Sequence, residues 1–291
     1  QHDALRLAFT RQGEQWRADY QASVPGELLW TPPALAAADE VQALADQAQR
    51  SLNLEQGVLL RAVLMELPEG QQRLLLVIHH TVVDGVSWRV LLEDLQSAYT
   101  QAARGEPVKL ADKGASLQAW GERLQGYARS DELKAQLRYW QDCLQGCAVD
   151  LPRDNPDGGL SLSQTHGVST RLDQATTHKL LKAAPAAYRT QVNDLLLTAL
   201  ARVLCRWSQQ PAVAIQLEGH GREALFDELD ISRTMGWFTS LFPVKLTPAT
   251  EFDASIKQVK EQLRQVPNKG VGYGLLRYCA DAASQAALAT L

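Results

Sequence analysis

The run His79-His80-Thr81-Val82-Val83-Asp84-Gly85-Val86-Ser87-Trp88, HHTVVDGVSW, lies where a continuous apolar strand gives way to a helix. Upstream of it, residues 59–67 (LLRAVLMEL) and 73–80 (RLLLVIHH) read as two strands around the turn-like PEGQ at 68–71. Downstream, Ser87 opens a helix to about Arg104, with an apolar face of Leu91, Leu95, Ala98 and Ala102 and with Gly105 suited to its end. Side chains alternate faces along a strand, so His79 and His80 are expected on opposite sides, one toward a cleft and one buried or holding the loop. Histidine is the natural proton-transfer group near neutral pH. Asp84 is suited to pairing an arginine or anchoring the loop backbone, and Gly85 permits a positive φ. Taken alone, the dipeptide reads more readily as two satisfied structural histidines beside a loop aspartate. A metal site is disfavoured, because neighbouring strand positions cannot both reach one ion and no third soft ligand is placed nearby.

Working outward, strands and helices alternate on both sides of this run. Helices are predicted at 117–128 and 132–144, and the Pro-, Gly-, Asp- and Ser-rich stretch beginning at 151 has no apolar period. A strand at 167–172 and a helix at 175–184 follow, then a long, largely buried helix at 191–207. Strands at 212–221 and 240–246 and a helix at 254–265 complete the pattern. The fold class is therefore α/β with two lobes, 1–150 and 166–291, joined by a linker at 151–165. A length of 291 residues suits two lobes better than one core.

A hydrophobic content of 45% and a charged content of 21% are ordinary for a soluble globular protein. The net charge of −4, without any Lys or Arg run, argues against nucleic acid as the main partner. No apolar run approaches the roughly 20 residues of a membrane span, and no signal peptide is visible. Cys143, Cys147, Cys205 and Cys279 show no CxxC or Cys/His spacing and read as small buried side chains in a reducing compartment. The expectation is a soluble, cytoplasmic protein without membrane partners. Gln1 opens inside an amphipathic pattern (Leu5, Leu7, Phe9), and the last residues read as a helix without a stop signal. Both ends therefore read as truncated.

A second chemical run, Glu218-Gly219-His220-Gly221-Arg222-Glu223, follows an alternating strand in which Val213, Ile215 and Leu217 share one face. Glu218 leaves the strand on the opposite, more polar face, and the glycines remove side chains where a substrate could approach the backbone. A partly desolvated carboxylate there would have a raised pKa and serve as base or acid. A strand-end glycine turn with solvated charges fits the same letters at least as well.

Together these runs carry a family resemblance. HHTVVDGVSW resembles the HHxxxDGxSW signature of the condensation-domain superfamily of nonribosomal peptide synthetases, which is built like chloramphenicol acetyltransferase. EGHGRE resembles, letter for letter, the motif that marks epimerization domains within it. SRTMGWFTSLFPVKL (232–246) is similar to that family's RTVGWFTxxYP segment, with Met235 and Phe242 as departures, and PNKGVGYG (267–274) to PxxGxGYG. The resemblance implies two chloramphenicol acetyltransferase-like lobes forming a V around a central channel. It implies His80 facing that channel, Asp84 holding the loop, and Arg61 pairing with Asp84.

The implied reaction is L-to-D inversion at the α-carbon of an aminoacyl or peptidyl thioester, a step of secondary metabolism such as antibiotic biosynthesis. The substrate would ride on the 4′-phosphopantetheine arm of a carrier protein, with the other synthetase domains as partners and no cofactor bound by the domain itself. His80 and Glu218 are the expected catalytic pair. His79, Asp84, Gly85, Arg61, Gly219, His220, Gly221 and Arg222 are expected to support them. A condensation domain forming peptide bonds fits HHTVVDGVSW equally well, and a partner-recruiting module of the same fold is the third reading. The resemblance implies that the family's opening PIQxWF-like segment would lie before Gln1 and its closing FNYLG-like segment after Leu291.

Overall fold

The computed structural model describes residues 1–291 except 36, 37, 148–150, 160, 290 and 291. Its described residues form two compact units, Gln1–Leu124 with Ala224–Thr239, and Gln125–Glu223 with Ser240–Leu291. The units do not divide the chain at the expected linker. Residues 125–147 group with the second unit, and 224–239 return to the first.

In the first unit, β1 (Leu7–Gln12) and β2 (Gln15–Tyr20) form an antiparallel pair. A three-stranded sheet has the order β3 (Leu29–Trp30), β4 (Leu60–Glu66), β5 (Gln72–Ile78), with β3 parallel and β5 antiparallel to β4. Helix α1 (Ala38–Arg50) packs against this sheet through Val41, Leu44 and the buried Ala48, beside Val63 and Met65. The expected hairpin is present, with Leu60 opposite Ile78 and the turn carried by Glu69 and Gly70 at φ 64° and 70°. Helix α2 (Gly85–Ala103) follows the hairpin, and α3 (Leu117–Tyr127) has its last turn in the second unit. A core of Leu5, Leu7, Leu59, Val82, Val83 and Met235 anchors both ends of the 79–88 run.

Helix α2 turns inward only part of the expected apolar face: Leu91 packs against the core and Ala98 is half-buried, while Leu95 and Ala102 are exposed. Val90 and Asp94 are buried. Asp94 is held there by Arg233, whose Nη2 donates to its Oδ1 at 2.6 Å while Nη1 donates to Glu93 at 3.0 Å. A buried carboxylate is tolerable when a guanidinium meets it, and this pairing outweighs a simple count of apolar positions.

The second unit contains α4 (Asp131–Lys134), α5 (Leu137–Cys143), α6 (Gln174–His178), α7 (Ala184–Tyr188), α8 (Val192–Ser208), β6 (Val213–Gly219), β7 (Ser240–Leu246), α9 (Phe252–Arg264), α10 (Val271–Tyr278) and α11 (Ala282–Ala289). The helix predicted across 132–144 is broken between α4 and α5. The described part of 151–165 is exposed and irregular apart from a short 3-10 turn at Leu162–Gln164. Residues 167–172 form no strand; they are exposed, and no neighbouring edge pairs with them among the described residues. Helix α8 is buried on one face only, through Leu195, Leu197, Thr198, Ala201 and Cys205, while Leu196, Leu200, Val203 and Trp207 are exposed. β6 and β7 pair antiparallel from Val213 opposite Leu246 to Gly219 opposite Ser240. Trp140 is fully buried, with Tyr139, Phe242 and Tyr273 against its ring edges.

Candidate functional site

The chain leaves β5 at Ile78, one residue before the histidines, so strand alternation does not govern their side chains. His79 is extended, and its N–H donates to the Leu59 carbonyl at 2.9 Å. The Thr81 N–H donates to His79 Nδ1 at 3.3 Å, and the Thr81 hydroxyl lies 3.0 Å from the same nitrogen. An accepting Nδ1 places the proton of the neutral ring on Nε2. Burial, and secondarily the neighbouring His80, holds the His79 imidazole below its ordinary pKa. His79 is thus the structural member of the pair.

His80 begins a 3-10 turn (His80–Val82) and is exposed. Its ring meets the edge of Trp237 with centroids 5.5 Å apart and planes at 63°. Val82 and Val83 are sunk in the core directly after it, so the turn that presents His80 is fixed from behind.

Asp84 is 5% exposed and caps α2, its Oδ1 accepting the Ser87 N–H at 2.7 Å. Its Oδ2 accepts the Phe238 N–H at 3.2 Å. Ser87, fully buried, donates from Oγ to the Gly236 carbonyl at 2.9 Å and accepts the Gly236 N–H at 3.1 Å. Asp84 and Ser87 therefore bolt residues 236–238 onto the loop and carry Trp237 to His80. Asp84→Ala removes both the cap and the partner of a buried N–H. It is expected to destabilise the first unit by about 2–4 kcal/mol, measured as a lowered urea midpoint, with hydrogen exchange accelerated at Phe238.

Two expectations for this loop are corrected. Arg61 does not pair with Asp84. Its Nε donates to Ser51 Oγ at 2.9 Å, its Nη1 to the Glu27 carbonyl at 2.6 Å, and its guanidinium lies 5.2 Å from the Trp30 ring centroid. Arg61 fastens β3 and the end of α1 to β4. Gly85 is the first residue of α2 and does not adopt a positive φ.

In the second unit, Glu218 stands opposite Leu241 at the end of β6 and is exposed on the same face as Gln216. Glu218 is thus exposed, not partly buried, at the strand end. Gly219 is close-packed: a Cβ there would lie 2.8 Å from Ser240 Oγ and 3.4 Å from the Lys269 carbonyl oxygen. Gly221 takes φ 66°, the left-handed turn that returns the chain. His220 Nδ1 accepts the Arg222 N–H at 3.0 Å, and its Nε2 lies 3.2 Å from Glu223 Oε1. Glu223, only 14% exposed in its side chain, also meets Lys269 Nζ at 2.9 Å through Oε2.

His79, His80, Asp84, Gly85 and Arg61 belong to the first unit and Glu218 to Arg222 to the second. Sequence reasoning passed over Trp237, Glu223 and Lys269, though each sits inside a quoted motif run. Among the described residues, no three His, Cys, Asp or Glu side chains gather as a metal would require, and no helix is long and apolar enough to cross a membrane.

The chain belongs to the Condensation domain family, whose model matches residues 1–291. It is 44% identical to a linear gramicidin synthase polypeptide of Brevibacillus parabrevis over 294 residues, covering 96% of this chain and 6% of the relative. It is 40% identical to surfactin synthase subunit 1 of Bacillus subtilis over 286 residues, covering 95% of this chain and 8% of the relative. The chain thus spans less than a tenth of the length of either relative. Among solved structures it is similar to the epimerization domain from the third module of tyrocidine synthetase B, at 37% identity and a TM-score of 0.88, over 98% of this chain and 66% of that one. The X-domain from teicoplanin biosynthesis shares the fold at 23% identity and a TM-score of 0.74, over 99% of this chain and 63% of that one.

Proposed function

We propose that this chain is an epimerization domain of a nonribosomal peptide synthetase, inverting the α-carbon of an aminoacyl or peptidyl thioester carried on the 4′-phosphopantetheine arm of a carrier protein. The observation that carries the reading is the EGHGRE turn at the end of β6, with Glu218 open to solvent beside a close-packed Gly219. The 37% identity with an epimerization domain across almost the whole chain supports it.

Inversion removes the α-proton from one face of the carbon and returns a proton to the other. The C–H bonding pair passes into the thioester carbonyl to give an enolate, whose oxygen needs a donor or cation. A thioester suits this step because its carbonyl accepts the pair more readily than an amide does. Glu218 is one acid/base group, exposed and in no ion pair among the described residues. His80 is the second acid/base, or the cation that stabilises the enolate, and Trp237 restricts its ring. The domain binds no cofactor of its own; the phosphopantetheine belongs to the carrier, and carrier and neighbouring synthetase domains are its partners.

The test follows α-deuterium incorporation and product chirality when a loaded carrier meets the natural full-length protein in D₂O. Exchange with loss of chirality is expected, and His80→Ala should slow it about 10²-fold or more. A dipeptide formed from two loaded carriers without exchange would replace the proposal with peptide-bond formation. Carrier binding with neither reaction would point to a recruiting module.

A further inference from the structure

We infer that Lys269 and Glu223 are positioning residues for Glu218, an assignment that rests on the epimerization reading and extends it. The turn Pro267–Gly270 contains three successive left-handed residues, Asn268 at φ 43°, Lys269 at φ 48° and Gly270 at φ 90°. Left-handed backbone is unfavourable for the first two, so the surroundings must hold them there. Each has a side-chain tie. Asn268 Nδ2 donates to Tyr127 Oη at 3.0 Å, and that hydroxyl donates to Glu132 at 3.1 Å. Lys269 Nζ meets Glu223 Oε2 at 2.9 Å.

The turn so held lies against the strand end that carries Glu218. The Lys269 carbonyl oxygen lies against Gly219, the residue after Glu218, 3.4 Å from where a Cβ would stand. Gly270 lies against Phe242, which pairs with Leu217, the residue before Glu218. On the far side of the turn, Glu223 accepts from His220 Nε2 while His220 Nδ1 accepts the Arg222 N–H. Glu223 is thus one carboxylate shared by two cationic or proton-bearing partners, one from the 218–223 turn and one from the 267–270 turn. It joins the two turns that bracket Glu218. Neither Lys269 nor Glu223 needs to touch the substrate to act in this way.

Lys269 is 73% exposed in its side chain. An ion pair with so exposed a cation contributes little to stability, so removing it reports on geometry more than on folding. A small misplacement of a reacting group costs rate far more than it costs binding.

The experiment measures kcat and KM for α-deuterium exchange on a loaded carrier, using the natural full-length protein and its Lys269→Met, Lys269→Arg, Glu223→Gln and Lys269→Met/Glu223→Gln forms. Lys269→Met is expected to lower kcat about 10-fold with KM unchanged within about 2-fold, the split that a positioning role predicts. Lys269→Arg should recover most of the loss, and the double variant should be no slower than Glu223→Gln alone, because both changes break one link. Wild-type exchange with an unaltered kcat in Lys269→Met would overturn the positioning role alone. So would a failure of arginine to rescue, or losses that multiply in the double variant. No exchange in the wild-type protein would overturn the epimerization reading and the positioning role with it.

Discussion

Glu218→Gln is expected to slow α-deuterium exchange by about 10³-fold, at the upper end of what losing one acid/base group costs. Glutamine keeps the shape of the side chain and its hydrogen-bonding reach but cannot hold a proton on oxygen near neutral pH. The side chain is exposed at the end of β6 and its backbone pairing with Leu241 is untouched. Stability should therefore change by no more than the ~0.5 kcal/mol usual for surface substitutions. That separation makes the result interpretable: a folded, carrier-binding protein without exchange assigns the lost rate to the carboxylate. Glu218→Asp retains the carboxylate on a shorter stem and should fall between the two. Single-turnover exchange in D₂O reads all three, and a Glu218→Gln rate within about 3-fold of wild type would remove Glu218 from the chemistry.

Local chemistry carried most of what was legible in advance. The β4–β5 hairpin follows from two leucine- and valine-rich runs flanking Pro68–Gly70, and β6 and β7 from alternating apolar residues. The sequence places the start of α2 at Ser87, whereas the helix begins at Gly85 because Asp84 is its cap. What could not be read depended on contacts distant in sequence. Nothing local to residues 232–239 announces that Gly236 and Phe238 bond to Ser87 and Asp84, roughly 150 positions away. Nor does the amphipathic period of α2 reveal that Arg233 makes Asp94 the residue to bury. Arg61 shows the same limit from the other side: the resemblance supplied a partner, whereas Ser51, Glu27 and Trp30 occupy its guanidinium. The 167–172 segment failed as a strand for a related reason, since a β-prone hexapeptide is a strand only where an edge accepts it.

Two of the three glycines of the run PNKGVGYG, Gly270 and Gly274, should respond to alanine with opposite signs. Gly270 has φ 90°, where any side chain is strained, and a Cβ built there would fall inside the Phe242 ring at Cδ1 and Cγ. Phe242 cannot swing away cheaply. It is 7% exposed, sits in β7 opposite Leu217, and packs at 6.4 Å centroid separation against the fully buried Trp140. Overpacking of about 1–3 kcal/mol adds to left-handed strain of about 1–2 kcal/mol, so Gly270→Ala should cost the second unit roughly 2–5 kcal/mol. Gly274 lies inside α10, with no φ constraint and open space where a Cβ would stand. Gly274→Ala should instead stabilise by up to about 1 kcal/mol, the helix-propensity difference between glycine and alanine. Urea unfolding followed by circular dichroism, with hydrogen exchange in α10 as the local report, distinguishes the two. If Gly270→Ala left the midpoint and the α10 protection unchanged, the β7 face would have to be loose enough for Phe242 to yield. The strand end beside it would then not be the rigid platform that the proposed role of Glu218 requires.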